Sequence, residues 1–192
     1  MMQLGLGLDA SAADDVSLHR VFFALWPDDG LRADIERTAA TLERDHAPGG
    51  RRLKPERDHL TLQFLRDFQP LPPSLIDTAR AAADAVRAPA FAMPLDCAGS
   101  FRGSNVWWLG AQAMPAGLQT LWERLGAALL RARVPVKASA SFVPHLTIQR
   151  DVRRQLPQTP IAPLSWHVDR FVLIDSQPGR PYDVVGSWPL SG

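Results

Sequence analysis

Cysteine occurs once in the 192 residues, at Cys97, which excludes an internal disulfide framework and the cysteine clusters on which most structural zinc sites depend. No run of apolar residues approaches the roughly 18–20 needed to span a bilayer. Charge of one sign is also lacking. The formal net charge is +1, too little for a long electrostatic footprint on duplex nucleic acid. Residues Met1 to Val16 are Gly/Ala/Asp-rich and acidic, without a signal-peptide pattern, and the glycines of Leu4-Gly-Leu-Gly-Leu8 lead into no phosphate loop. These absences lead us to expect a cytoplasmic monomer with no membrane association. Residues 1–18 are expected to form a flexible extension and residues 19–192 a single domain, whose 46% hydrophobic content suffices for a real core.

What the chain does have is a repeat. His59-Leu-Thr-Leu-Gln63 returns as His145-Leu-Thr-Ile-Gln149, 86 residues later, in a chain with five histidines. Side chains alternate along an extended strand. His59, Thr61 and Gln63 are therefore expected on one face, with Leu60, Leu62 and Phe64 on the other. His145, Thr147 and Gln149 repeat the first set, and Leu146 and Ile148 the second.

The rest of the chain alternates strands and helices. Strands are expected at about 20–25, 58–65, 91–101, 106–110, 145–150, 165–175 and 182–188. A turn at 102–105 joins the third strand to the fourth. Helical spacing runs from Asp28 or Asp29 to about Asp45 with Leu31, Ile35, Ala39 and Leu42 inward, and from Ser74 to about Arg87 with Leu75, Ala79, Ala82 and Val86 inward. A third helix opens at Pro115 and runs to about Arg133, with Leu118, Leu121, Trp122, Leu125 and Leu129 inward. Strand, helix, loop and His-x-Thr strand occur in 20–65 and again in 106–150. The expected fold is α+β, with two pseudo-symmetric lobes. Each lobe is an antiparallel sheet with helices outside, and the two face a central cleft.

Two histidines across a bound phosphodiester can divide proton transfer, one taking a proton from water and the other giving one to the leaving oxygen. A threonine two residues on, roughly 7 Å along the strand, can donate to a non-bridging phosphate oxygen. Neither motif offers a zinc ligand set, so no metal is expected. Arginines and a lysine flank both motifs: Arg51, Arg52, Lys54 and Arg57 before the first, Arg150, Arg153 and Arg154 after the second. Guanidinium groups suit phosphate. Arg150 falls on the wrong face of a regular strand and reaches the cleft if the strand ends or bulges at Gln149. Trp26 and Phe142 are candidates for stacking on a nucleobase. His19, His46 and His167 lack the partner threonine and read as structural or solvated, and Cys97 as a packed small hydrophobe.

The paired motifs resemble those of the two-histidine (2H) phosphoesterase superfamily, in particular its LigT-type RNA 2′,3′-cyclic phosphodiesterases, also called 2′-5′ RNA ligases. The likeness runs from Arg20 to Trp188 and includes Arg20-Val-Phe-Phe-Ala-Leu-Trp-Pro27 and Ser141-Phe-Val-Pro-His-Leu-Thr-Ile-Gln-Arg150. Arg66 departs from it, standing where such proteins often have glycine. The resemblance implies opening of an RNA 2′,3′-cyclic phosphate end to a 2′-phosphate without metal or cofactor. His59 would be the proton donor, His145 the proton acceptor, and Thr61, Thr147 and Arg150 would hold phosphate. Any ligation would start from the cyclic phosphate itself, without ATP. The same residues also suit cleavage of 2′-5′ linkages or of small cyclic nucleotides, or binding of RNA ends without turnover.

Overall fold

The computed structural model describes residues 17–137 and 141–191, so the extension expected over 1–18 lies almost wholly outside the described residues. The chain runs β1 (His19–Leu25), α1 (Asp29–His46), β2 (Arg51–Arg52), a 3-10 turn (Pro55–Arg57), β3 (Leu60–Phe68), α2 (Leu75–Asp84) and β4 (Phe91–Ser100). It continues through β5 (Val106–Gly110), α3 (Ala116–Arg131), β6 (Leu146–Arg150), β7 (Thr159–Val168), β8 (Arg170–Ser176) and β9 (Asp183–Pro189).

Local chemistry explains the boundaries. The Asp28 carboxylate accepts the Leu31 N–H at 2.8 Å and caps α1, satisfying one of the donors a helix start leaves open. The helix stops at Ala47, whose left-handed backbone (φ 43°) turns its N–H back to the Glu43 carbonyl. Leu31, Ile35, Ala39 and Leu42 are buried as the spacing predicts, as are Leu118, Leu121, Leu125 and Leu129 of α3. Trp122 is not in that stripe's core. It is half-buried and stacks on Phe142, with ring centroids 5.0 Å apart. The buried faces of all three helices join one cluster with Val21, Phe23, Leu25, Leu60, Leu62 and Leu65. A smaller cluster of Phe22, Ala24, Val172 and Ile174, with Trp26, Phe64 and Tyr182 packed on it, covers the opposite face.

The strands form one antiparallel sheet in the order β7-β4-β5-β6-β3-β1-β8-β9, with β2 added to β6. The two motif strands are the central pair, flanked by β5 and β1, then β4 and β8, then β7 and β9. The expected two lobes are thus halves of a single sheet. They are joined at one residue pair, Leu60 opposite Leu146.

Two further expectations fail. The single strand expected over 165–175 is two, β7 and β8, interrupted at Asp169, and β7 begins within the proline-rich stretch. Pro160 and Pro163 are tolerated there because β7 is an edge strand, where a missing N–H need break no ladder.

The second failure concerns the faces of the motif strands. Opposite β1, Ala24 pairs with Thr61 and Phe23 with Gln63, so Leu62 is an extra residue in β3. Opposite β5, Trp108 pairs with Thr147 and Trp107 with Gln149, so Ile148 is an extra residue in β6. Each motif therefore carries a β-bulge directly after its threonine, and a bulge inverts the alternation beyond it. Gln63 and Gln149 leave the histidine face and turn inward. The Gln63 amide donates to the Trp122 carbonyl (3.3 Å) and that of Gln149 to the Gly49 carbonyl (2.9 Å). Phe64 and Arg150, the residues after them, swing onto the threonine face.

Candidate active site

Both histidines stand one residue before their strands begin, and both are held by the same device. His59 Nδ1 lies 2.7 Å from the Arg57 carbonyl, and His145 Nδ1 lies 2.8 Å from the Val143 carbonyl. A carbonyl only accepts, so Nδ1 carries the proton in each ring and Nε2 is left to exchange one.

The turn that supplies the Arg57 carbonyl is itself fixed. Arg32 donates from Nε to the Pro27 carbonyl (3.1 Å) and from Nη1 to the Pro55 carbonyl, with its guanidinium 4.5 Å from the centre of the Trp26 ring. Trp26 therefore packs on Arg32 and borders neither of the cavities that hold the histidines.

Aromatic rings wall both imidazoles. Phe22 (4.9 Å between centroids) and the edge-on Tyr182 (5.4 Å) flank His59, while Phe101 meets His145 edge-on at 4.8 Å. Phe101 is backed by Trp108 at 5.3 Å, and Trp108 lies so close over Gly99 that a Cβ there would come within 2.8 Å of its ring. Trp107, the neighbour of Trp108, is fully buried.

Burial and positive charge act together on the ionisation of the pair. Burial pushes His59 down to about 4. The bond to the Arg57 carbonyl opposes this, and Arg150 and His145 push further down. His145 is also lowered, mainly by burial and then by Arg150. Behind His59, burial raises the Asp58 carboxyl to about 7 against the pull of Arg32.

Two cavities meet at this point, one of about 680 Å³ and one of about 710 Å³, with Thr61, Phe64 and Lys137 bordering both. The first takes His145, Phe101, Trp122 and Phe142 into its wall. It lies between β3 and the residues just before β6, Ser141 to His145, and the Lys137 N–H donates to the Phe64 carbonyl (2.8 Å) at its border. The second is bordered by His59, Arg51, Arg57 and Arg150. Thr147 stands opposite Trp108, half-buried, and borders neither cavity.

Of the flanking cations, Arg52 is drawn away into ion pairs with Glu36 (2.5 Å) and Glu43. Lys54, Arg153 and Arg154 border neither cavity. Lys137, Phe22, Phe101 and Tyr182 escaped the sequence reading. Of these, Phe22 lies within the segment Arg20 to Pro27 that carries the likeness, and Tyr182 within its overall span. His19 pairs with Asp175 (2.7 Å), His46 packs against Trp107, His167 is exposed and Cys97 is buried.

The descriptive model of the 2′-5′ RNA ligase superfamily matches residues 27–180, which hold both motifs and both cavities' central walls. The chain belongs to that superfamily. Among members of this superfamily and its structural relatives, the RNA 2′,3′-cyclic phosphodiesterase of Escherichia coli (strain K12) is 29% identical over 178 residues, covering 90% of this chain and 97% of that protein. The crystal structure of E. coli LigT in apo form superposes with a TM-score of 0.77 at 29% identity, over 92% of this chain and 99% of that one. LigT complexed with 3′-AMP gives 0.75 at 28% identity, with the same coverage of 92% and 99%. The LigT-like α+β fold expected from the paired motifs is the fold observed.

Proposed function

We propose that this chain opens RNA 2′,3′-cyclic phosphate ends to 2′-phosphates by paired-histidine acid–base catalysis. The observation that carries the reading is the matched pair of imidazoles, each with Nδ1 tied to a main-chain carbonyl and both under the positive charge of Arg150. The name and likeness of the E. coli relative support the reaction class.

In this mechanism His145 Nε2 takes a proton from water as its oxygen attacks phosphorus. The bond from phosphorus to O3′ breaks, and His59 Nε2 gives its proton to that oxygen, leaving the phosphate on O2′. Thr61 and Arg150, both on the cavity that holds His59, donate to the non-bridging oxygens, where charge grows in the transition state; Thr147, on the same face of its strand as His145, is the further donor the repeat offers. The terminal base rests in the apolar cavity against Phe142. All these steps use the chain's own groups. Among the described residues, no cluster of three or more His, Cys, Asp or Glu is placed to hold a metal ion.

His59 has to be protonated to serve as the acid, yet in the empty cleft it ionises at about 4. A phosphodiester anion beside Arg150 offsets that residue's charge and favours imidazolium, so the substrate brings its own proton affinity to the site. Attack by a 5′-hydroxyl in place of water would use the same groups and form a 2′-5′ linkage.

The test is incubation of a short RNA ending in a 2′,3′-cyclic phosphate with the protein and a chelator, with products identified by mass and phosphatase sensitivity. A 2′-phosphate is expected. A 3′-phosphate would reverse the assignment of the leaving oxygen, and an unchanged cyclic end would remove the reaction.

A further inference from the structure

The cavity that holds His59 has far more positive charge than one phosphate requires. Arg20, Arg51, Arg57, Arg150 and Lys137 all border it, and Asp67 is the single acidic side chain there among the described residues. Asp67 is already engaged by Arg20 at 3.4 Å. Arg57 lies over the Tyr182 ring at 4.2 Å and donates to the Arg180 carbonyl at 2.5 Å. Arg51, Arg150 and Lys137 enter none of the ion pairs found among the described residues.

Arg51 is built into this position. Gly50, with φ +78°, brings the chain so close to β6 that a Cβ there would fall 2.4 Å from the Arg150 carbonyl. Arg51 then pairs directly across from Arg150. On the next rung Arg52 pairs with Gln149, and the Leu53 N–H reaches the Ile148 carbonyl at 2.9 Å. Two arginines with no ion-pair partner among the described residues thus face each other across adjacent strands and border the cavity of His59, a pairing suited to an anion. A single cyclic phosphate bears one negative charge, and Arg150 is the one cation that engages it in the reading above.

We propose that the remainder of this cavity, centred on Arg51, is a second phosphate subsite. It takes the phosphodiester linking the terminal nucleotide to its 5′ neighbour, so the preferred substrate is an oligonucleotide end and not a mononucleoside cyclic phosphate. This rests on the hydrolytic reading for its choice of ligand. The subsite is separate from the reacting phosphate and needs no base recognition.

The experiment compares adenosine 2′,3′-cyclic phosphate with the dinucleotide ApA ending in the same group, for the wild type and for Arg51→Glu. One charge-assisted contact is worth about tenfold in affinity or more. The dinucleotide is therefore expected to show a kcat/KM about tenfold higher at low salt. It should also show a steeper loss with salt, by roughly 0.7 in log–log slope for the additional phosphate. In Arg51→Glu the ratio of the two substrates should fall towards one. Equal kcat/KM for both in the wild type, or an unchanged ratio in the variant, would overturn the subsite. Calorimetric binding of ApA 2′-phosphate against adenosine 2′-phosphate separates this inference from the reaction. Tighter dinucleotide binding without turnover of either substrate keeps the subsite and removes the hydrolytic reading. Equal binding removes the subsite whatever the turnover.

Discussion

Leu60 lies directly opposite Leu146, and this one pair joins the two halves of the sheet. Each leucine immediately follows a motif histidine, so the seam of the fold and the two imidazoles are separated by a single residue on both sides. Past the pair, β3 and the residues that lead into β6 border the apolar cavity. The same junction therefore places the two histidines next to one seam, each on the wall of its own cavity.

If the two rings divide proton transfer, neither can be spared. His59→Ala and His145→Ala are each expected to lower single-turnover rates by about 100-fold or more. Both rings are partly solvent-exposed, and the melting temperature should change far less than for a core truncation. A variant that keeps near wild-type rates would exclude its histidine from the chemistry.

The pH dependence has a defined sign. In the free protein both imidazoles ionise below the ordinary 6.5, His59 at about 4. Profiles of kcat/KM report the free protein and those of kcat the bound complex. A bound phosphate anion raises both ionisations, so the kcat bell should lie at higher pH than the kcat/KM bell. Coincident bells, or a rate climbing without a maximum, would contradict the paired mechanism.

Asp58 gives a separate, thermodynamic signature. Burial raises its carboxyl from 3.8 to about 7, so between these values the folded chain binds the proton more tightly than the unfolded one. Its contribution to stability is fully present below 3.8 and is lost as pH rises through about 7. Asp58→Asn removes that linkage. The melting temperature of the wild type minus that of the variant should therefore fall between about pH 5 and about pH 8. A gap independent of pH would show that Asp58 ionises normally.

Gly50 is sensitive for two reasons at once, its positive φ and its approach to the Arg150 carbonyl. The left-handed backbone alone costs a β-carbon roughly 1–2 kcal/mol. With the clash added, Gly50→Ala should lower the melting temperature by about 4–8 °C in a domain of this size. Calorimetry on the purified variant would decide it, and a shift under about 1 °C would mean that β2 moves away from β6 without penalty.

The histidines, the threonines and most of the strands that hold them were legible because period-two alternation and the repeat reported the same thing twice. The bulges were not. One extra residue in a ladder depends on the partner strand's register, which period-two alternation within one strand does not report. The consequence was a wrong face for Gln63, Phe64 and Gln149, while Arg150 reached the cleft through a bulge one residue earlier than the sequence suggested. Trp26 was misplaced for a related reason. Its closeness in sequence to β1 gave no sign that the Arg32 side chain would occupy its ring. A usable signal did exist in the repeat itself, since a glutamine follows the extra apolar residue in both motifs, and both glutamines are buried on main-chain carbonyls.

Because the partner of each Nδ1 is a main-chain oxygen, no side chain sets the tautomer of either imidazole. Arg57 and Val143 can change identity without removing the acceptor, so the tautomer of each ring has no single codon on which it depends. What it depends on is the path of the backbone over two residues on either side of the seam. Sequence drift can therefore reshape the cavity walls while the two Nδ1 acceptors stay in place.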